Sequence, residues 1–168
     1  MIEIYILRHG LAKKREEWSG KKDADRPLTG KGEKKTREEG RALKRIGISF
    51  DLIISSPFAR ARRTAETVAE TLRLTSRLEF TNSLAPHGSP KRFLQELVPH
   101  LDASAKVLVV GHEPYLSALI SLCLSGQPDI AFELKKGGIC KLVAEGRTLV
   151  KHCALEWFLT PEQLLSRC

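Results

Sequence analysis

Ile2-Glu3-Ile4-Tyr5-Ile6-Leu7-Arg8-His9-Gly10 is a β-branched, aromatic and aliphatic run that stops at a cation, an imidazole and a glycine. The apolar part reads as a buried strand. In open α/β sheets ligands sit beyond the carboxyl ends of the strands. A histidine placed there can act as a nucleophile, the arginine beside it can hold an anion, and glycine lets the backbone approach closely. Taken alone, Arg8-His9-Gly10 also fits a surface turn with a chance histidine, so its meaning depends on the rest of the chain.

Outward from that strand, apolar runs alternate with helical patterns. Leu11 to Arg26 is polar and without a clear period, a loop beside a strand end that can shape a site. Pro27-Leu28-Thr29-Gly30 opens a long helix, with Thr29 as N-cap, Leu43 and Ile46 on the inner face and Gly47 closing it. Asp51 to Ser55 reads as a second buried strand. Ser56 then caps a helix that has Pro57 in its first turn and runs to about Leu72. Leu78 to Thr81 is a short strand, Asn82 to Ser89 a loop, and Ser89-Pro90 starts a helix through Val98. Lys106-Val107-Leu108-Val109-Val110 is the clearest strand and ends at Gly111-His112; a helix from Pro114 to about Leu124 follows. Ile130 to Leu134, Gly138 to Ala144 and Thr148 to Phe158 read as strands, and Thr160-Pro161-Glu162 caps a short helix. The pattern predicts a single domain over 1–168, a three-layer α/β/α sandwich with a mostly parallel central sheet.

The chain has 168 residues, 28 of them Lys or Arg against 20 Asp or Glu, a formal charge of +8. That excess favours anionic partners. Between Lys31 and Arg45 the charges repeat at helical spacing with acids among them, as on a solvated helix face. Nucleic acid is not the expected partner, since the basic residues lack interleaved aromatics and a recognised binding motif. No Cys/His cluster has zinc spacing, so neither a metal nor another cofactor is expected. Cys123 and Cys140 lie in apolar runs and read as buried thiols; Cys168 is terminal. Apolar stretches are too short to span a bilayer, and a leader-like segment is absent, so a reducing cytoplasmic setting is expected.

Three predicted strands end in polar residues: Arg8-His9-Gly10, Ser55-Ser56-Pro57 with Arg60 one turn on, and Gly111-His112. If these strands are parallel neighbours, two histidines and at least two arginines share one pocket. Phosphoryl transfer needs such a set. Its transition state spreads charge over three equatorial oxygens and asks mainly for positioning and charge stabilisation. Arginine's planar fork holds two phosphate oxygens at once. Neutral imidazole can attack phosphorus, and guanidinium charges near a histidine of ordinary pKa about 6.5 disfavour its protonated form.

With these segments in view, the chain resembles the histidine phosphatase superfamily, the phosphoglycerate mutase-like fold, and within it the small phosphohistidine phosphatases of the SixA type. The residues that carry the resemblance are Ile6-Leu7-Arg8-His9-Gly10, Arg26-Pro27-Leu28-Thr29, Ser55-Ser56-Pro57-Phe58-Ala59-Arg60-Ala61, Thr64-Ala65 and Val110-Gly111-His112-Glu113-Pro114. Lys136-Gly137-Gly138 is similar to the family's late hairpin turn. The resemblance implies His9 as the nucleophile that becomes phosphorylated. It implies Arg8, Arg60 and His112 around the phosphate, Arg26 reaching it, and Gly10 and Ser56 as substrate-binding neighbours. Larger members of the family protonate an alcohol leaving group with a carboxylic acid, in many of them in the segment matching Phe80 to Gln95. That segment has no Asp or Glu here. A phosphoramidate has a labile P–N bond and can take its proton from solvent, so the missing acid favours phosphohistidine as substrate.

The expected function is removal of phosphate from a histidine-phosphorylated signalling protein, such as a phosphotransfer domain. Glu113 is the alternative acid, giving a small-molecule phosphomonoesterase; it also suits the first turn of a helix, where it complements the dipole. A non-catalytic phosphate-binding module is a third reading. His87, in a Pro-His-Gly loop, either lines the entrance or stands in solvent.

Overall fold

The computed structural model describes residues 1–20 and 22–166. Cys168 lies outside them. A six-stranded sheet forms the centre, in the order β3-β2-β4-β1-β5-β6. Its strands are β1 (Ile2–Arg8), β2 (Leu52–Ser55), β3 (Leu78–Phe80), β4 (Lys106–Gly111), β5 (Ile139–Ala144) and β6 (Cys153–Leu159). β3, β2, β4 and β1 run parallel; β5 and β6 are antiparallel additions on the other side of β1. The helices are α1 (Gly30–Arg45), α2 (Ala59–Leu72), α3 (Pro90–Leu97), α4 (Tyr115–Ser125) and α5 (Pro161–Ser166).

Alternation along β1 divides the core between the two faces. Ile2, Ile4 and Ile6 join Val107, Val109 and residues of α3 and α4, among them Phe93, Leu94, Leu116 and Leu119. Tyr5 and Leu7 join Leu108, Val110 and residues of α1, α2 and α5, among them Leu43, Val68 and Leu164. Strands apolar on both faces are what a sheet covered twice by helices requires. This is the three-layer α/β/α arrangement, with the mostly parallel sheet that strand-helix alternation predicts.

Local signals behave largely as expected. Thr29 Oγ1 accepts from the Gly32 N–H at 2.9 Å and caps α1. Ser89 Oγ accepts from the Arg92 N–H and caps α3, with Pro90 as its first residue. Thr160 and Gln163 form a reciprocal capping box on α5. Gly47 follows the end of α1 with φ +76°. Cys123 and Cys140 are buried thiols.

Other expectations fail. Ile46 faces solvent at 41% exposure; the inner face of α1 is Thr36, Glu39, Gly40, Ala42 and Leu43. α2 begins at Ala59 with Phe58 at the N-cap position, so Ser56 stands too early to cap it; its hydroxyl instead pairs with His112 and accepts the Phe58 N–H. Residues 130–134 form no strand. Side chains take their backbone groups instead: Ser121 Oγ accepts the Ile130 N–H, Ser117 Oγ shares its one hydrogen between the Phe132 carbonyl and Glu113 Oε1, and Glu113 accepts the Leu134 N–H. β6 starts at Cys153 rather than near Thr148, because the Lys151 N–H turns to the Leu122 carbonyl and Lys151 adopts φ +63°.

Candidate active site

Sheet register builds the site. Arg8 of β1 lies opposite Gly111 of β4, and Ser55 of β2 opposite Val110 of β4. The residues that follow continue the ladder: the His9 N–H reaches the Gly111 carbonyl and the Ser56 N–H the Val110 carbonyl, both at 3.0 Å. So His9, Ser56 and His112 emerge side by side at the carboxyl edge. The imidazole rings of His9 and His112 are 5.2 Å apart between centroids.

His9 is 5% exposed. Its Nδ1 lies 2.8 Å from the Gly10 carbonyl oxygen. A carbonyl only accepts, so Nδ1 carries the hydrogen and the lone pair stands on Nε2. Gly10 leaves no room for a larger residue: a Cβ there would meet Thr36 Oγ1 at 2.6 Å. The Gly10 N–H donates to Thr64 Oγ1, which itself donates to the Arg60 carbonyl. On the other side the Gly137 N–H is shared by the Arg8 and His9 carbonyls. The loop at His9 and Gly10 is therefore tied to α2 and to the 135–138 turn.

Burial pushes the His9 pKa down to about 3; the charges of Arg60, Arg8 and Lys136 add to it, against the bond to Gly10. Sequence reasoning credits the guanidiniums, yet desolvation is the larger cause. Burial likewise brings His112 to about 2, helped by His9 and Arg60 and opposed by Asp23. Both rings are neutral at physiological pH.

His112 Nε2 and Ser56 Oγ are 2.8 Å apart, and Ser56 Oγ also accepts the Phe58 N–H at 3.3 Å. With the Ser56 hydroxyl donating to Nε2, His112 keeps its hydrogen on Nδ1. Among the described residues, His112 Nδ1, Arg8 Nε and Arg60 Nε are buried and have no hydrogen-bond partner. Buried donors left unpaired are costly and rare. Three of them beside a neutral imidazole form a cradle suited to an oxyanion.

Several other arginine nitrogens are engaged by the protein itself. Arg8 Nη1 donates to the Leu134 carbonyl at 2.6 Å and to the Glu133 carboxylate at 2.7 Å. Arg60, 4% exposed, spends both terminal nitrogens on Asp23: Nη1 on its carbonyl at 3.0 Å and Nη2 on Oδ2 at 3.1 Å. Arg26 Nε donates to Asp23 Oδ1 at 2.9 Å and its Nη1 to the Lys13 carbonyl at 2.7 Å. Arg15 Nη1 also meets Asp23 Oδ1. Burial alone raises the Asp23 carboxyl, but the hydrogen bonds and charges of Arg26 and Arg60 outweigh it and hold it below its usual value.

Glu113 does not face the cradle as a free acid. Oε1 accepts from Ser117 Oγ and from the Leu134 N–H, each at 2.8 Å, and Oε2 from the Ser117 N–H at 3.1 Å. It caps the start of α4 and anchors residues 132–134. Thus the structure gathers His9, Arg8, Arg60, His112, Gly10 and Ser56, attaches Arg26 through Asp23, and gives Glu113 a structural task. Three participants escaped the sequence reading. Asp23 sits in an aperiodic loop, with only its place three residues before Arg26 as a signal. Phe58 lies 5.5 Å by ring centroid from His112 and 5.5 Å from the Arg60 guanidinium carbon, inside a stretch notable for its serine and arginine. Lys136 adds charge near His9 from a turn read for its glycines.

Comparison with known proteins agrees with this geometry. Residues 4–84 match the histidine phosphatase superfamily, branch 1. An uncharacterised protein of Picosynechococcus sp. is 37% identical over 167 residues, covering 98% of this chain and 99% of that protein. The phosphohistidine phosphatase SixA of Escherichia coli K12 is 32% identical over 133 residues, covering 77% of this chain and 79% of its own. The solved structure of the protein histidine phosphatase SixA complexed with tungstate superposes with a TM-score of 0.82 at 26% identity, covering 96% of this chain and 99% of that one. A chain with these strand-end histidines and arginines, and with that relative over three-quarters of its length, belongs to the histidine phosphatase superfamily and is a phosphatase of the SixA type.

Proposed function

We propose that this phosphatase removes the phosphoryl group from a phosphorylated histidine on a partner protein, through a phosphorylated His9. The carrying observation is a neutral, buried imidazole with its lone pair on Nε2, beside three unpaired donors, while the Glu113 carboxylate is held by Ser117 and Leu134. The Nε2 lone pair of His9 attacks phosphorus. The P–N bond to the substrate imidazole breaks, its electron pair stays on that nitrogen, and the nitrogen takes a proton from water. Arg8 Nε, Arg60 Nε and His112 Nδ1 donate to the equatorial oxygens, where charge concentrates in transfer. Water then attacks the phosphoryl group on His9, releasing phosphate and restoring the ring. An alkoxide would need a positioned acid at the first step, and Glu113 is committed elsewhere.

The surroundings suit an acidic partner. Lys13, Lys14, Arg15 and Lys22 are exposed on the loop that carries Asp23, with Glu16, Glu17 and Asp25 exposed among them, and Lys135 and Lys136 are exposed on the turn whose Gly137 N–H meets the Arg8 and His9 carbonyls. Such a rim steers a phosphorylated, acidic domain towards the cradle. The test is a brief exposure of the enzyme to a labelled phosphohistidine peptide, followed by an alkaline denaturing quench. Label that is alkali-stable, acid-labile and maps to the peptide containing His9 is the expected result. Turnover with no label on His9 in a rapid quench, or a phosphohistidine peptide left intact, would overturn the reading.

A further inference from the structure

Beyond the phosphate cradle, the leaving group needs a place to lie. In-line transfer sends it away from His9, outward from the cradle. One aromatic wall adjoins the cradle. It starts at His112, which is 2% exposed, continues through the half-buried ring of Phe58 at 5.5 Å, and ends at the exposed ring of His87, 6.2 Å from Phe58. The planes of His112 and Phe58 are inclined by 67°, an edge-to-face contact that aromatic rings favour, and those of Phe58 and His87 by 53°, a tilted one. Arg60 lies against the same Phe58 ring, so the wall begins at a group that would hold phosphate.

His87 is firmly mounted. Leu84 and Ala85, just before it, are buried at 0% and 1% exposure. The Gly88 N–H closes a turn on the Ala85 carbonyl at 2.8 Å, and a Cβ at Gly88 would collide with the Ser83 carbonyl. The exposed imidazole therefore stands on a short, anchored turn. Its ring has no role in the cradle, and its side chain supports no part of the core.

We propose that Phe58 and His87 form the platform on which the leaving group lies, and that this platform selects an aromatic ring, the imidazole of phosphohistidine, over an aliphatic alcohol. The assignment of imidazole rests on the function proposed above; the preference for a ring does not. A planar ring attached to phosphorus gains edge and face contacts with both side chains, whereas a short alkyl group reaches neither well.

Phosphonates test the two claims separately, because their P–C bond is not cleaved. Binding of phenylphosphonate and methylphosphonate is measured by calorimetry on wild type, His87→Ala and His87→Phe. Wild type is expected to favour the phenyl compound. His87→Ala should weaken phenylphosphonate about three- to tenfold, the worth of one aromatic contact, and leave methylphosphonate unchanged. His87→Phe should restore the preference, which a merely structural role for the turn would not require. In parallel, kcat/KM for a phosphohistidine peptide should fall in His87→Ala by a similar factor. Equal weakening of both phosphonates, or none, would overturn the platform. A His87-dependent phenyl preference in an enzyme that leaves phosphohistidine intact would support the platform and refute the imidazole assignment.

Discussion

At the scale of single residues, the site separates side chains with unpaired polar groups in the cradle from those that hold them in place. His9→Ala removes the lone pair and should abolish turnover, while phosphate binding measured by calorimetry survives on the remaining donors. Arg60→Lys should cost on the order of a hundredfold in kcat/KM: a point charge replaces a fork whose Nη edge is held by Asp23 and whose Nε is left for substrate. Asp23→Asn keeps the shape but weakens the clasp on Arg60 and Arg26. Phosphate affinity should fall about five- to tenfold with little change in thermal stability, since charge-assisted bonds are roughly twice as strong as neutral ones. Tighter phosphate binding in that variant would mean that Asp23 competes for the arginines rather than orienting them. Glu113→Gln should lower stability by about 1–2 kcal/mol in urea denaturation and leave phosphohistidine turnover near wild type, because its carboxylate holds Ser117 and Leu134.

At the scale of elements, the 135–138 turn matters more than its length suggests. Gly137 has φ +78°, and its N–H reaches the Arg8 and His9 carbonyls. A Cβ there would run into the Glu39 carboxyl on α1. Gly137→Ala should therefore lower both melting temperature and turnover, where a purely structural defect would lower only the first. Residues 130–134 show the limit of reading elements from pattern. Their apolar residues suggest a strand, yet hydroxyls of α4 and the carboxylate of Glu113, two residues before it, satisfy the backbone, and no ladder forms. Ser56, read as a helix cap, stands too early for one and pairs with His112 instead. A hydroxyl can serve either, and the sequence around it looks alike in both cases.

Across the whole molecule, three buried titratable groups shape the dependence of stability on pH. His9 and His112 fall to about 3 and about 2 from 6.5, so the unfolded chain binds more protons than the folded one below about pH 6.5. Their contribution is present above that pH and is lost on acidification. Glu39 moves the other way, pushed by burial from 4.5 up to about 8, with Lys35 opposing. Its contribution is present below about pH 4.5 and is lost as pH rises through about 8. Together these groups give a stability maximum near pH 6.5, with slopes of about 1.4 kcal/mol per pH unit for each group acting. Urea denaturation of Glu39→Gln should show the alkaline decline flattened and the acid decline kept. The +8 charge acts over distance. Raising salt to about 0.5 M should slow attack on an acidic phosphorylated domain about tenfold while barely changing a small phosphoramidate.

Much of this was legible without coordinates. Periodicity and strand-end chemistry determined the layers, the parallel strands β1, β2 and β4, and the placement of His9, Arg60 and His112 at one rim, because alternation and the direction of βα connections leave few topologies open. What waited for three dimensions was every assignment in which one group chooses among several partners. Asp23 clasping Arg60 across 37 positions is one case, Ser56 turned to His112 another, and Glu113 bonded to the Leu134 N–H a third. Hydrogen bonds and desolvation act through space at a few ångströms, and residues distant along a chain carry no local signal of who will stand beside them.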